Sequence, residues 1–536
     1  MINFNNRKGF TIILPLGLLS LTLALFGLNI INENDQVGSS RSTRSGMGVI
    51  NLFPKPAPIA TSTAPVKPNI VLIVTDDQRY DTTWVMTNLT QELKNKGVTF
   101  EKAFVNNPLC CPSRTSILKG QYSHTTNCTN NASCKNEFNN LDTLSVWLQN
   151  AGYRTGLFGK YLNGYQGGID PTPPGWSKWV AFSPSNPPSY FNTSLFVDGQ
   201  QMTTGSLYST DYLASEAINF MLADVASFSS SEPQPFFVYF TPSAPHSPAE
   251  PSNSPLDVCP DPLSPPPGSE IPCAIANLPP WRPPSYNESD LNDKPTWLKN
   301  KPLITPEEST ESDEFHKKQL LTLLPVDRAI GQIVAALKKN NKINNTVIIF
   351  TSDNGLAWGE HRLVDHKPCP YDECLRVPMI IRAPGLSPRV DTNNFVQNTD
   401  LAPTILDLAK VPVPANANFD GISLKPILFG QSSSLRNEIL FESLIGGGNR
   451  PADFQGIKNN NFTYVYYPYT GEEEFYDLNN DPYQLNNQAN GTAQLSSLRQ
   501  SLTQLRDRFF QIIANQPDLS RLKRYPDDGT NDGRES

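Results

Sequence analysis

At 536 residues the chain exceeds one ordinary domain and can bury a large core. Its net charge of −8 and pI of about 5.3 argue against nucleic acid as a partner and against a polybasic membrane surface. With only five histidines, a histidine-rich metal centre is excluded.

Arg7 and Lys8 precede an uncharged apolar run over 9–31. A positive flank and a stretch long enough to span a bilayer predict a secretory signal over 1–31, cleaved or kept as an anchor. Residues 32–66, rich in Ser, Thr, Pro, Asn and Gly, read as a linker. From Asn69, strand-like apolar runs alternate with helical patterns, the signature of an α/β chain with a parallel sheet. The runs over 69–75, 155–158, 236–241 and 346–351 all end in chemistry. They lead into Asp76-Asp77, Gly159-Lys160, Pro245-His246 and Asp353-Asn354-Gly355. Ligands of open α/β sheets bind at the carboxyl ends of the strands. Four strands that deliver carboxylates, an amide, a lysine and a histidine to that edge describe one site.

Between the first two runs lies Cys110-Cys111-Pro112-Ser113-Arg114, opening an apolar segment that closes at Gly120. Pro112 suits a first helical turn. Cys110 then stands at a helix N-terminus, where backbone N–H groups favour an anion. Arg114 adds a forked, permanent cation one turn on. Asp76, Asp77, Asp353 and Asn354 are hard oxygen donors, suited to Ca²⁺ or Mg²⁺. Lys160, His246 and Lys367 are cationic or proton-carrying, as a charged ester and its leaving alcohol require. His361 and Lys367 follow the Asp-Asn-Gly turn on a loop long enough to cover the site. His124 and His366 receive no role, and His316 is expected to be exposed on a charged helix.

Residues 247–302 are proline-rich and read as a surface excursion tied by Cys259 and Cys273. A helix over 307–339 follows, with an apolar stripe through Leu320, Leu323, Leu324, Ile330 and Ile333. After about residue 430 the pattern changes to short strands over 438–441, 461–467 and 474–477, then a helix over 495–513. This predicts a small antiparallel subdomain at 431–515, beside a main domain at 67–430, with a polar tail at 516–536. Six of the eight cysteines fall in near pairs: 128 with 134, 259 with 273, and 369 with 374. Such short loops suit disulfides in an oxidising compartment. Cys110 and Cys111 are left over, and packing is the expected job of Cys111.

Taken together these residues resemble the type I, formylglycine-dependent sulfatase family. Further runs carry the resemblance: Thr75 to Arg79, Gly159-Lys160-Tyr161-Leu162-Asn163, Ala244-Pro245-His246, Asp400 to Asp407, Asp420-Gly421 and Glu474 to Leu478. The paired cysteines, the Lys-Tyr-Leu-Asn run and Pro174-Gly175-Trp176 look closest to the N-acetylglucosamine-6-sulfatase and arylsulfatase branch. The resemblance implies an alkaline-phosphatase-like sandwich with a large mixed, mostly parallel sheet. It implies oxidation of Cys110 to formylglycine by a formylglycine-generating enzyme. Ca²⁺, with Mg²⁺ as second choice, would sit on Asp76, Asp77, Asp353, Asn354 and the modified residue 110. Arg114 would steady that residue. Lys160, His246 and Lys367 would hold the sulfate and assist the leaving group. The hydrated aldehyde has two hydroxyls, one to attack sulfur and one to release sulfate. The implied substrate is a sulfated amino sugar or an aryl sulfate. Phosphodiester or phosphonate monoester hydrolysis is the alternative, and an inactive carbohydrate-binding protein is a third reading. One departure stands out. Many relatives carry Lys-x-His where this chain has Lys160-Tyr161-Leu162, leaving His361 or Asn163 to replace the missing histidine.

Overall fold

The run over 69–75 forms strand β1 (Asn69–Thr75), buried along its whole length. Ile70, Leu72 and Val74 enter one hydrophobic cluster, while Val71 and Ile73 enter another on the opposite face. A strand covered on both faces must be apolar at every position, which is why the run is unbroken. The computed structural model describes residues 66–490 apart from 133, 166–168, 184–188, 224–233, 261–262, 264–267 and 446–452. The expected signal over 1–31, nearly all of the linker, the helix over 495–513 and the tail lie outside the described residues.

The large sheet has ten strands. After β1 these are β2 (Val98–Phe100), β3 (Arg154–Gly159), β4 (Lys178–Phe182), β5 (Ser194–Val197), β6 (Gln200–Thr203), β7 (Phe236–Thr241), β8 (Thr346–Ser352), β9 (Met379–Arg382) and β10 (Arg389–Asp391). Their spatial order is β10-β2-β9-β8-β1-β7-β3-β4-β5-β6. The central five, β8-β1-β7-β3-β4, run parallel. β9 turns antiparallel against β8, and β5 and β6 form an antiparallel edge.

Helices cover both faces. On one side lie α1 (Cys110–Lys119), α2 (Leu144–Asn150) and the helix Leu401–Leu408. Ile117, Leu118, Leu144, Trp147, Leu401 and Ile405 bring their apolar faces onto the sheet. On the other side lie α3 (Ser209–Leu222) and α4 (Pro306–Lys339). The expected stripe of α4 packs there through Leu320, Leu323, Ile330 and Ile333. Thr305 caps α4 by accepting from the Glu308 N–H, and Glu308 answers with its carboxylate in a capping box.

A separate four-stranded antiparallel sheet follows: β11 (Glu438–Ser443), β12 (Phe454–Asn459), β13 (Phe462–Tyr466) and β14 (Glu473–Asp477). Three of these match expected strands. β12 is unforeseen, because Gly456 and Lys458 break its apolar pattern. Gly456 makes room for Phe441: a Cβ there would stand 2.2 Å from that ring.

The three expected disulfides, Cys128–Cys134, Cys259–Cys273 and Cys369–Cys374, are bonded. The proline-rich excursion contains a short helix, Glu270–Ala276. Its later part is stitched to the loop after β8. The Asn287 N–H donates to the Gly359 carbonyl (2.8 Å), and the His361 N–H donates to the Ser285 carbonyl (2.7 Å).

Candidate active site

Two neighbouring parallel strands deliver the carboxylates and the amide to one edge. β1 runs into Asp76 and Asp77, and β8 runs into Asp353 and Asn354. The Asp353 N–H donates to the Thr75 carbonyl (3.0 Å), and the Asp76 N–H donates to Ala244 beyond β7 (3.1 Å). Asp77 takes φ of 65°, a left-handed conformation rare for a residue with a side chain. β3 ends at Gly159, where a Cβ would stand 1.9 Å from the Thr241 carbonyl oxygen. Only glycine lets the two strand ends close up, and the next residue is Lys160.

α1 brings the remaining groups. Cys110 is its first residue. Its Sγ lies 3.5 Å from Asp76 Oδ1 and 3.0 Å from Lys367 Nζ. One turn on, the fully buried Arg114 donates from Nε to Asp353 Oδ2 (2.8 Å), and its Nη2 stands at the same distance from that oxygen. Arg114 Nη2 also lies 3.5 Å from Asp76 Oδ2. Lys160 Nζ donates to Asp76 Oδ2 (2.6 Å) and Lys367 Nζ to Asp77 Oδ1. His246 Nδ1 lies 2.7 Å from the Ser247 carbonyl. A carbonyl only accepts, so Nδ1 carries the proton and Nε2 is left facing Asp77 Oδ2 at 3.7 Å. Tyr190 pins the same residue by donating to the His246 carbonyl (2.6 Å).

These charges set one another. Burial opposes ionisation of Asp76, but Lys160, His246, Arg114 and Lys367 outweigh it and hold its carboxyl far below the usual range. At Asp353 burial wins over Arg114 and lifts the carboxyl to about 6. Burial pushes the Cys110 thiol well up despite Lys160 and Lys367, so the encoded side chain is a neutral thiol. Burial lowers His246 against the pull of Asp76 and Asp77.

The donor set fits a hard divalent cation. Carboxylate oxygens of Asp76, Asp77 and Asp353 lie within 4.8 Å of one another. The amide of Asn354 donates through Nδ2 to Asp77 Oδ1 (2.6 Å). Its buried Oδ1 has no hydrogen-bond partner. The amide nitrogen sits against one of the three carboxylates, and a buried amide oxygen left without a partner on the same residue is a donor atom that a cation would satisfy.

Nine of the ten expected site residues are thus brought together, and His361 is not. Its Nδ1 lies 2.7 Å from Glu288 Oε2 and its ring stacks on Tyr371 at 3.9 Å, so it ties the excursion to the loop after β8. Asn163, the other candidate for the missing histidine, bonds to Cys111 through its backbone N–H (2.9 Å). His316 is buried rather than exposed, stacked on Trp358 with centroids 3.9 Å apart. The charged residues around it in sequence lie on other faces of α4. His366 stacks on Trp297. Sequence reasoning passed over Gln319, Trp358, Tyr190 and Glu288. The one available signal was a polar Gln319 on the buried stripe of α4.

His124 lies outside the cluster, its Nδ1 2.8 Å from Glu442 Oε1. Burial lowers its pKa, but Glu442 outweighs burial and the net shift is upward. A raised folded pKa gives stability that is full below the unfolded value of about 6.5 and is lost as pH rises through the folded value. Glu442→Gln should therefore cost more stability at about pH 5.5 than at about pH 8.5. Urea denaturation at both values checks this, and an equal cost at both would contradict it.

The family description Sulfatase matches residues 68–411. The description N-sulphoglucosamine sulphohydrolase, C-terminal, matches 359–510. N-acetylglucosamine-6-sulfatase of Homo sapiens is 34% identical over 397 residues, covering 70% of this chain and 67% of that protein. The extracellular sulfatase SULF-1 homolog of Drosophila melanogaster is 31% identical over 428 residues, or 78% of this chain. This chain spans only 36% of that relative's length. One solved structure, a protein in complex with its substrate D-glucosamine-2-N,6-O-disulfate, superposes with a TM-score of 0.67 at 25% identity. The match covers 85% of this chain and 100% of that one, and the shared architecture is the alkaline-phosphatase-like sandwich.

Proposed function

The chain belongs to the sulfatase family, and we propose that it hydrolyses sulfate monoesters, with a 6-sulfated amino sugar as its leading substrate. The observation that carries this reading is the convergence of four oxygen donors and four basic side chains on Cys110, the first residue of α1. A sulfate ester presents oxygens that need cations and a leaving oxygen that needs a proton. Lys160 and Lys367 supply ammonium groups at the cluster. Arg114 is locked on Asp353 and fixes the wall behind it. His246 directs Nε2 inward; with its Nδ1 proton committed to the Ser247 carbonyl, it is the imidazolium form, protonated on Nε2 as well, that hands a proton to the departing oxygen. The amino-sugar assignment draws on the human relative's name and on the 6-O-sulfated substrate in the superposed structure.

Asp76, Asp77, Asp353 and Asn354 would hold the cation, Ca²⁺ first and Mg²⁺ second. Bound there, it would stabilise negative charge on the ester oxygens. Cys110 is read as the site of formylglycine formation, by the action of a formylglycine-generating enzyme. Its buried neutral thiol is a poor nucleophile as encoded, which supports conversion. Three disulfides and the extracellular relative support an exported chain, with 1–31 as signal or anchor. Residues 67–430 are assigned to catalysis and 431–515 to an accessory subdomain.

A single preparation assayed on 6-sulfated glucosamines, an aryl sulfate and a phosphodiester tests the reading. Sulfate monoesters should be cleaved far faster than the phosphodiester. Comparable rates on the phosphodiester and the aryl sulfate would move the assignment to phosphodiester or phosphonate hydrolysis.

A further inference from the structure

One face of α4 does more than pack. Ser312, His316 and Gln319 recur at helical spacing and are all buried. All three grip Trp358. Ser312 Oγ donates to the Trp358 carbonyl (2.6 Å), the His316 ring stacks on the indole, and Trp358 Nε1 donates to Gln319 Oε1 (2.5 Å). The indole also meets the guanidinium of Arg79, 4.1 Å from the ring centroid. Gln319 uses the other end of its amide as well. Its Nε2 donates to the Pro245 carbonyl at 3.0 Å.

The two partners of that amide lead to two different cations of the site. Pro245 immediately precedes His246. Trp358 belongs to the short strand Ala357–Trp358, which pairs with Val364–His366, the strand that runs into Lys367. One buried amide thus spans the loop that carries His246 and the hairpin that carries Lys367.

We propose that Gln319 is a positioning residue for the reaction: it fixes the spacing between the His246 loop and the Lys367 hairpin without touching either side chain. The inference rests on the roles proposed above for His246 and Lys367. Both bonds are needed, since a donor alone would hold one loop and an acceptor alone the other. A buried amide with both ends satisfied has little freedom to move, and the loops inherit that restriction.

The test is a double-mutant cycle on the full chain. Gln319→Met conserves volume and removes both bonds. It should lower kcat by roughly 10- to 100-fold, the scale on which small misplacement of reacting groups registers. KM and bound metal content should change little. In a His246→Ala background the same substitution should add clearly less than its loss in the parent, because one of the two groups being positioned is already gone. A purely structural role for Gln319 would make the two losses multiply. Gln319→Glu keeps the acceptor for Trp358 but cannot donate to Pro245 when ionised. It takes the place of Gln319→Met if that variant does not fold, and the same loss of kcat is expected of it. Near-normal kcat in both variants, or multiplying losses, would overturn the inference while leaving the function intact. A His246→Ala enzyme of normal activity would instead overturn the catalytic reading on which the inference rests.

Discussion

Cys110→Ser should fold normally, keep its metal and lose turnover by roughly 10⁴-fold or more, the scale on which loss of a covalent nucleophile registers. The structural half follows from the surroundings of residue 110. Its thiol is buried and neutral, so a serine hydroxyl brings no new charge. The hydroxyl is smaller than the thiol and can still meet Asp76 and Lys367, the two polar neighbours of Sγ. The chemical half follows from what residue 110 must become. A serine has one hydroxyl and no route to a second, so any first step that it performs has no release step behind it. Circular dichroism, metal content and steady-state hydrolysis measured together check the result. A Cys110→Ser enzyme with substantial steady turnover would contradict the role given to residue 110.

Asp353→Ala should damage both the metal site and the fold. Asp353 Oδ2 stands 2.8 Å from both Nε and Nη2 of Arg114, and Arg114 is wholly buried. The guanidinium's other carboxylate, Asp76, stands at 3.5 Å and is already held by Lys160. Removing Asp353 leaves a buried guanidinium short of its main partner, a change that costs about 3–5 kcal/mol when a buried pair is broken from one side. Asp353→Asn keeps a single oxygen, which can accept from Arg114, and puts an NH₂ that cannot ligate a cation in place of the other oxygen. It should lose less stability than Asp353→Ala yet still bind metal weakly. Denaturant melts and metal titration of the two variants check this. Equal stability of Asp353→Ala and the parent would remove the case for Arg114 and Asp353 as a buried pair. Chelation of the parent should abolish activity and re-addition of Ca²⁺ should restore it.

The edge of the site was legible because parallel strands buried on both faces must be apolar, so the first polar residues after them mark the carboxyl ends. Asp76, Asp353 and Lys160 announce themselves in this way, and Cys110 does so through Pro112 and Arg114. Long-range packing was not legible. His361 lies close in sequence to Lys367, yet its left-handed backbone, with φ of 51°, turns it toward Glu288 in the distant excursion. His316 sits among Glu314, Lys317 and Lys318, and nothing in that pattern foretells Trp358 against its ring. β12 escaped notice because its glycine answers a neighbour's ring rather than a turn. Gln319 shows the same limit, since a polar residue on an apolar stripe signals a buried bond but not its partners.

Peptide mass spectrometry of residue 110 in active protein reads the conversion of Cys110 itself. Active protein should carry the mass of an aldehyde side chain at residue 110 and an unmodified thiol at Cys111. Specific activity should rise in proportion to the fraction of residue 110 converted. Full activity in protein whose residue 110 is wholly an unmodified thiol would contradict this.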